Sequence, residues 1–207
     1  MSVPLASVDG SPYLVAVEGL DSIDFEEAAQ KVKRLAAKAV NTTARRYRTE
    51  SARQMREQIN FPSRYLTGRD SGRLRISRTA KPELLEATIT GRDRPTSLVR
   101  FIRGPKRHGR TNMTIEVGTG QARKLNSGER NRIFMMNLRG GNIGLAVRLR
   151  EGERVENKRT MVQVSGNLYL LYGPSVDQVF RGVAEDVSDD AADFLEREFT
   201  RLTEALL

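Results

Sequence analysis

Apolar side chains recur every three or four positions between residues 24 and 60, and Lys and Arg fill most of the positions between them. This spacing puts the apolar side chains on one face of an α-helix, and many of them are alanine, which allows close packing. Asp24 is a candidate N-cap, and Phe61-Pro62 is expected to end the helix. The pattern therefore predicts a helix over residues 24–60, about 50 Å long at about 1.5 Å per residue.

Shorter apolar runs follow the helix, and in several of them apolar and polar residues alternate. They lie at residues 84–91, 97–103, 113–117, 133–138, 144–149, 161–164 and 168–172. Alternation with a period of two is typical of strands that bury one face. Because no helical pattern separates these runs, we expect an antiparallel sheet and not βαβ crossovers. Gly140-Gly141 and Glu151-Gly152-Glu153 are predicted to be hairpin turns.

The apolar run at residues 168–173 ends in Gly173-Pro174-Ser175, after which helical spacing begins. Glycine can adopt a positive φ, proline fixes φ and lacks an N–H donor, and serine is a good N-cap. We therefore expect a rigid corner between a strand and a C-terminal helix, with Gly173 at positive φ. The helix is predicted to begin near either Val176 or Ser188.

These elements predict an α+β fold in which a long N-terminal helix and a C-terminal helix pack on an antiparallel β-sheet with long basic loops. With 207 residues, the chain is expected to form a single structural domain. We divide it into an N-terminal extension (1–23), the long helix (24–60), a basic loop (61–83), the β-sheet (84–175) and a C-terminal helical region (176–207). Within the basic loop, a weak strand at Leu74-Arg75-Ile76 is the alternative to a loop conformation.

Candidate catalytic and metal-binding residues are few. The chain contains no Cys and one His, His108, which lies in a basic turn without a neighbouring carboxylate. Gly118-Thr119-Gly120-Gln121 lacks the Lys-Ser/Thr of a phosphate-binding loop. The neighbouring acids Asp189 and Asp190 are expected to point in different directions on a helix. We therefore expect a non-enzymatic protein without a metal site or cofactor.

No apolar run reaches 18 residues, and the first 23 residues contain no Lys or Arg. These features differ from those of a transmembrane helix and of a signal peptide. We therefore expect a soluble protein of the cytoplasm with no membrane partner.

Charge is distributed very unevenly along the chain. Residues 1–30 carry a net charge of −6, residues 31–159 carry +21, and residues 160–207 carry −6. Arginine accounts for 28 of the 35 basic residues and suits bidentate contacts with phosphate. One interpretation is therefore contact with nucleic acid, and another is contact between the acidic ends of one copy and the basic middle of the next. A solvated charged surface with no partner is the third.

A set of short motifs occurs along residues 25–206. The long helix contains Ala39, Asn41 and Ala44 in an Ala-x-Asn-x-x-Ala pattern; Phe134 lies in one predicted strand and Arg148 in another; Gly173-Pro174-Ser175 closes the last strand. In this order the motifs resemble the minor tail protein Z family of tailed phages, whose members are similar to neck and tail-completion proteins.

The resemblance implies a structural virion protein that forms an oligomeric ring in the neck or upper tail, at the head-tail junction around the DNA channel. It implies self-association as a hexamer or dodecamer, and contacts with connector, head-closure or tail-terminator proteins. Weak, sequence-independent contact with duplex DNA is also expected. The alternative is a non-enzymatic nucleic-acid-binding regulator or packaging factor.

Three basic segments, at residues 64–78, 104–110 and 123–132, are expected to face the DNA channel or a neighbouring subunit. Their candidate residues are Arg64, Arg69, Arg73, Arg75, Arg78, Lys106, Arg107, Arg110, Arg123, Lys124, Arg130 and Arg132.

Overall fold

The computed structural model of the chain describes residues 6–8, 11–13, 25–62, 64–68, 73–125, 133–150, 152–155 and 157–205. The expected N-cap Asp24 and the candidate basic residues Arg69, Arg130 and Arg132 lie outside these ranges. Within them the fold is α+β, as the sequence predicts, with two long helices and antiparallel strands.

The helices are α1 (Phe25–Gln58) and α2 (Val176–Glu204). The predicted bounds of α1 are confirmed to within two residues at each end. Of the two starts considered for α2, the one near Val176 is correct. The hydroxyl oxygen of Ser175 accepts a hydrogen bond from the N–H of Gln178 at 3.0 Å, so Ser175 is the expected N-cap.

The two helices pack against each other in antiparallel directions. The hydroxyl of Tyr47 donates a hydrogen bond to the carbonyl of Ala184 at 2.6 Å, and its ring meets that of Phe180 edge to face, with centroids 6.3 Å apart. Nearer the start of α1, Lys38 approaches Glu198, close to the end of α2. The hydrogen bond and charge of Arg201 lower the pKa of the Glu198 carboxyl, and the charge of Lys38 adds to this effect. Residues 26–34 of α1 are all exposed, so the first turns of this helix are not packed into the core.

The strands number twelve within the described residues, and they pair only in antiparallel fashion. They are β1 (Ala6–Val8), β2 (Ser11–Tyr13), β3 (Leu74–Arg78), β4 (Thr88–Gly91), β5 (Thr96–Ser97), β6 (Ile102–Arg103), β7 (Met113–Glu116), β8 (Ala122–Leu125), β9 (Ile133–Asn137), β10 (Ile143–Arg148), β11 (Met161–Ser165) and β12 (Leu168–Gly173).

The strands form several small sheets where the sequence pattern predicts one. β1 pairs with β2 and β3 with β4, while β6, β7 and β8 form a three-stranded sheet. The largest sheet has the order β11-β12-β10-β9, and β5 also pairs with β12. The run at 97–103 is interrupted by a 3-10 turn (Leu98–Phe101), and two segments predicted as basic loops contain the strands β3 and β8.

One of the two predicted hairpin turns is confirmed. Gly140 and Gly141 have φ of +80° and +75° and join β9 to β10. The hairpin predicted at Gly152 is wrong, because β10 pairs with β12 and not with β11. The apolar strand β12 occupies a central position, whereas β11, with its exposed side chains, lies at the edge. The tight turn instead joins β11 to β12 at Gly166, with φ of +48°.

The hydrophobic core lies where the end of α1 and the start of α2 meet the sheets. It joins side chains from both helices, from the segment after α1 and from every sheet formed by β3 to β12; its members include Ala52, Met55, Phe61, Leu66, Leu74, Phe101, Ile115, Leu125, Met135, Leu145, Val176, Val179 and Val183. Because these residues come from most of the described chain, the helices and sheets share one core, as expected for a single domain.

Gly173 does not have the expected positive φ, so this prediction is wrong. A Cβ atom at this position would lie 3.0 Å from Cδ2 of Leu98 and 3.3 Å from Cε2 of Phe101. Glycine is therefore favoured here by close packing of β12 on the 3-10 turn, and not by backbone conformation.

A tighter contact occurs at Gly91, at the end of β4. A Cβ atom there would lie 2.7 Å from Cα and 2.8 Å from N of Asp177, in the first turn of α2. This approach lets the N–H of Asp177 donate a hydrogen bond to the carbonyl of Arg92 at 3.2 Å. The end of β4 is therefore held directly against the start of α2.

We predict that Gly91→Ala lowers the free energy of unfolding by about 2 kcal/mol, as overpacking against rigid atoms does. Gly173→Ala should cost less, because the atoms facing it are the ends of side chains that can shift. Urea denaturation of both variants compares them directly. An equal or larger loss in Gly173→Ala would contradict this interpretation of Gly91.

Candidate functional site

The family-motif positions on α1 lie at its contacts with the rest of the protein. Ala39 and Ala44 are buried. The side-chain amide of Asn41 forms two hydrogen bonds with the backbone of Ala80, donating to its carbonyl at 2.9 Å and accepting from its N–H at 2.8 Å. Asn41 therefore fixes the segment that follows β3 against the helix, which is a structural role.

The remaining motif positions lie elsewhere. Phe134 and Arg148 are on the same face of the large sheet, because Phe134 pairs with Ala146, two residues from Arg148 on β10. Gly173, Pro174 and Ser175 form the junction between β12 and α2. The motif positions therefore lie in three separate places: on α1, on the large sheet and at the junction of β12 with α2. They do not form one site.

The candidate basic residues around β3 differ in their surroundings. Arg73 and Arg75 lie on the solvent side of β3 and line an open depression, together with Arg92 and Arg94, which sequence reasoning missed. Arg78 instead forms an exposed ion pair with Glu86, with Nη1 and Oε1 3.2 Å apart. Arg64 is exposed in the turn after α1, at φ of +66°.

The basic segment at residues 104–110 is folded back onto the protein. The Arg110 guanidinium donates hydrogen bonds to the carbonyls of Asn112 and Pro105, so this side chain stabilises its own loop. Nδ1 of His108 accepts a hydrogen bond from the N–H of Asn137 at 3.2 Å, which ties the loop to β9. Lys106 and Arg107 are exposed and remain candidates for contact with a partner.

The glycine-rich turn at residues 118–121 has a structural function. The hydroxyl of Thr119 donates a hydrogen bond to the carbonyl of Arg56 at 2.8 Å, and its N–H donates to the carbonyl of Gln58 at 3.1 Å. Helix C-termini have carbonyl groups that lack partners within the helix. This turn satisfies two of them in α1, which the sequence alone did not indicate. The adjacent strand β8 leaves Arg123 and Lys124 exposed.

Glu116 stabilises the same turn from the other side. Its Oε1 accepts a hydrogen bond from the N–H of Gly120 at 2.9 Å, and its Oε2 accepts one from Nε of Arg103 at 2.6 Å. Both hydrogen bonds lower the pKa of the Glu116 carboxyl from its usual value of 4.5, and the one from the N–H of Gly120 contributes more than the one from Arg103. One charge of the basic region is therefore neutralised within the fold.

The middle of α2 carries an exposed acidic surface, which we call the acidic face. Its members are Glu185, Asp186, Asp189, Asp190, Asp193 and Glu196. Other α2 acids pair within the helix, as Asp177 does with Arg181 at 2.9 Å. Among the described residues, no ion pair joins an acid of α2 to a basic residue of the β-rich part.

The large sheet has an apolar surface turned away from the core, which we call the outer sheet face. Its side chains are Phe134, Met136, Leu138, Val162, Val164, Leu168 and Leu170, and none of them belongs to the core cluster. Leu138 and Leu170 meet above Gly144, where a Cβ would lie within 3.0 Å of both. On the edge strand β11, Val162 and Val164 are 43% and 47% exposed.

A metal-binding cluster and a membrane-spanning helix are both absent from the described part of the chain. No group of three or more His, Cys, Asp or Glu residues there is placed to hold a metal ion. Neither of the described helices is both long and apolar enough to cross a membrane.

We predict that Asn41→Leu lowers the free energy of unfolding by about 2 kcal/mol, because it leaves the N–H and carbonyl of buried Ala80 without partners. The neighbouring variant Thr42→Ala loses only a hydrogen bond within α1, to Lys38, and should change stability by less than about 0.5 kcal/mol. Thermal and urea denaturation measure both. Equal effects of the two variants would show that the contact with Ala80 is unimportant.

A second prediction concerns pH. Because the folded-state pKa of Glu116 is lowered, its ionised form stabilises the fold above about pH 4.5, and this contribution is lost as the pH falls through the folded-state pKa. Glu116→Gln should therefore be less stable than wild type at pH 7, and the difference should shrink below pH 4. The control is Glu83→Gln, which changes an exposed glutamate. A difference between wild type and Glu116→Gln that does not depend on pH would contradict the prediction.

Comparison with known proteins gives no match for this chain. No protein-family model matches it, and neither a curated protein nor a solved structure matches it significantly. Its function is therefore inferred from the sequence motifs and from the surfaces described above.

Proposed function

We propose that this chain is a structural subunit of a tailed-phage virion that assembles into an oligomeric ring in the neck or upper tail, around the DNA channel. The placement in a virion is supported by the resemblance of its motifs to the minor tail protein Z family. Connector, head-closure or tail-terminator proteins would be its neighbours. The subunit contributes shape and charge to the assembly, and no chemistry.

The observation that carries the proposal is the separation of opposite charges onto different surfaces of the subunit. The acidic face of α2 has no ion-pair partner among the described residues, and exposed basic residues such as Arg75, Arg107 and Arg123 likewise lack one. Charges of both signs that remain unpaired within a subunit are available for pairing between subunits. Such a contact joins two different surfaces, so its repetition generates a ring when the rotation closes.

The outer sheet face supports the same proposal independently. Monomeric proteins rarely expose large contiguous apolar patches, and such patches commonly mark contacts with other proteins. The edge strand β11, which pairs on one side only among the described strands, offers backbone hydrogen-bonding groups beside the exposed Val162 and Val164, and a neighbouring chain can cover them. A second copy that packs on this face would remove both exposed features from water.

A second candidate function is a stand-alone nucleic-acid-binding regulator or packaging factor. The four arginines of the depression beside β3 favour it, because they need an anionic partner of some kind. This candidate does not explain the outer sheet face, whose side chains are mainly apolar. Oligomeric state therefore distinguishes the two proposals.

We predict that the purified protein forms oligomers whose dissociation increases between 50 mM and 1 M NaCl, because contacts between exposed charges are screened by salt. Val164→Asp should shift the protein toward monomer at all salt concentrations. Leu85→Asp is the matched control, since Leu85 has the same 47% exposure but lies outside the outer sheet face. Sedimentation velocity measures oligomeric state, and circular dichroism checks folding.

Two outcomes would contradict the ring. One is a wild-type protein that stays monomeric at every concentration and salt and does not bind purified connector or tail components. The other is equal dissociation by Val164→Asp and Leu85→Asp, which would mean that the outer sheet face is not a subunit contact.

A further inference from the structure

The β3–β4 hairpin presents arginines on its solvent side. Arg75 pairs with Thr90, and the N–H of Arg92 donates a hydrogen bond to the carbonyl of Arg73 at 2.8 Å, which extends the ladder by one pair. Paired residues of antiparallel strands point to the same face. Leu74 lies in the core, so Arg73, Arg75 and Arg92 share the opposite face. We call this surface the arginine face.

Arg94 completes the arginine face beside a wide depression of about 590 Å³. Asp93 is the one acid that lines this depression among the described residues, and its Oδ1 already lies 2.7 Å from Nη2 of Arg159. None of the arginine-face residues forms an ion pair with a described acid. Four positive charges therefore line a space in which Asp93, the one acid among its described lining residues, is engaged by a fifth arginine.

Contacts with the core and with α2 hold the β3–β4 hairpin and the Arg92 side chain in place. The hydroxyl of Tyr65, a core residue, accepts a hydrogen bond from Nη1 of Arg92 at 3.4 Å. Nε of Arg73 is buried and has no hydrogen-bond partner. At Gly91 the hairpin is held against the backbone of α2. The backbone of the hairpin and the guanidinium of Arg92 are thus held in place by the fold.

This arrangement destabilises the isolated protein. Like charges directly across a pair of strands repel each other, and a buried donor without a partner has lost its hydration without replacement. An anion in the depression would reduce the repulsion between the arginines and could accept a hydrogen bond from the buried donor. An anion that binds only the folded state stabilises that state. Arginine forks suit oxyanions that accept two hydrogen bonds at once, as phosphate does.

We propose that the arginine face binds the phosphates of a nucleic-acid backbone without reading its sequence. Among the residues that the structure describes, no aromatic side chain lines the depression on which a base could stack. Arginine forks suit the repeated phosphate groups of a nucleic-acid backbone, each of which carries a negative charge and two free oxygens. The four arginines that line one depression therefore fit such a backbone.

This inference rests on the proposed function for the identity of the nucleic acid, which is the duplex that passes through the ring. It adds the residues that make the contact, including Arg92 and Arg94, which lie outside the three basic segments of the sequence. The binding itself requires neither the ring nor the virion.

The test is fluorescence anisotropy with two unrelated 20-base-pair duplexes, at NaCl concentrations from 50 to 300 mM. The variant Arg75→Gln/Arg94→Gln removes two exposed charges of the arginine face. Its matched control, Arg45→Gln/Arg56→Gln, removes two exposed charges from α1. Wild type should bind both duplexes equally. The slope of log affinity against log salt should fall in magnitude by about two in the first variant and by much less in the control.

Equal slopes in the two variants would overturn the proposal, because binding would then depend on overall charge alone. Unchanged duplex binding with loss of self-association in Arg75→Gln/Arg94→Gln would assign the arginine face to carboxylates of a neighbouring subunit. Binding of inorganic phosphate or tripolyphosphate without binding of either duplex would assign it to a free anion. If the protein is monomeric but Arg75→Gln/Arg94→Gln lowers the salt slope as expected, the arginine face binds nucleic acid and the ring proposal is wrong. If the protein forms a ring but this variant leaves the slope unchanged, the ring proposal stands and the arginine-face proposal is wrong.

Discussion

The close approach of the β3–β4 hairpin to the start of α2 is the contact on which the rest of the structure depends. At Gly91 a strand backbone lies directly against a helix backbone, so that the N–H of Asp177 reaches the carbonyl of Arg92. A few residues away, the N–H of Thr96 donates to the carbonyl of Pro174. The first bond joins the hairpin to α2, and the second joins β5 to the segment between β12 and α2. The hairpin, the large sheet and α2 are therefore in contact beside the shared core.

The parts of this fold that depend on local sequence could be predicted. The three-to-four spacing of α1 gives both of its ends to within two residues, and Ser175 was identified as the cap of α2. The turn at Gly140-Gly141 is also a local signal. In each case the stabilising interactions lie within a few residues along the chain, so the sequence pattern contains the information.

The pairing of strands could not be predicted in the same way, because it is decided by contacts between distant segments. Nothing near β10 shows that it pairs with β12 and leaves β11 at the edge. The arginine face was missed for the same reason, since Arg92 comes beside Arg73 only when the hairpin forms. The alternation of Arg73, Leu74 and Arg75 was a usable signal for one strand but did not identify its partner. The sequence pattern predicts a positive φ at Gly173, whereas close packing against Leu98 and Phe101 explains why glycine is favoured there.

The helix α1 has an exposed tip at residues 26–34, and its far end is capped by Thr119. Between them lies a continuous helix of 34 residues, and an α-helix of this length behaves as a stiff rod of about 50 Å. Thr119 belongs to the turn that joins β7 to β8, and β8 carries Arg123 and Lys124. The helix is therefore one continuous connection between an exposed tip and the turn that precedes the basic strand β8.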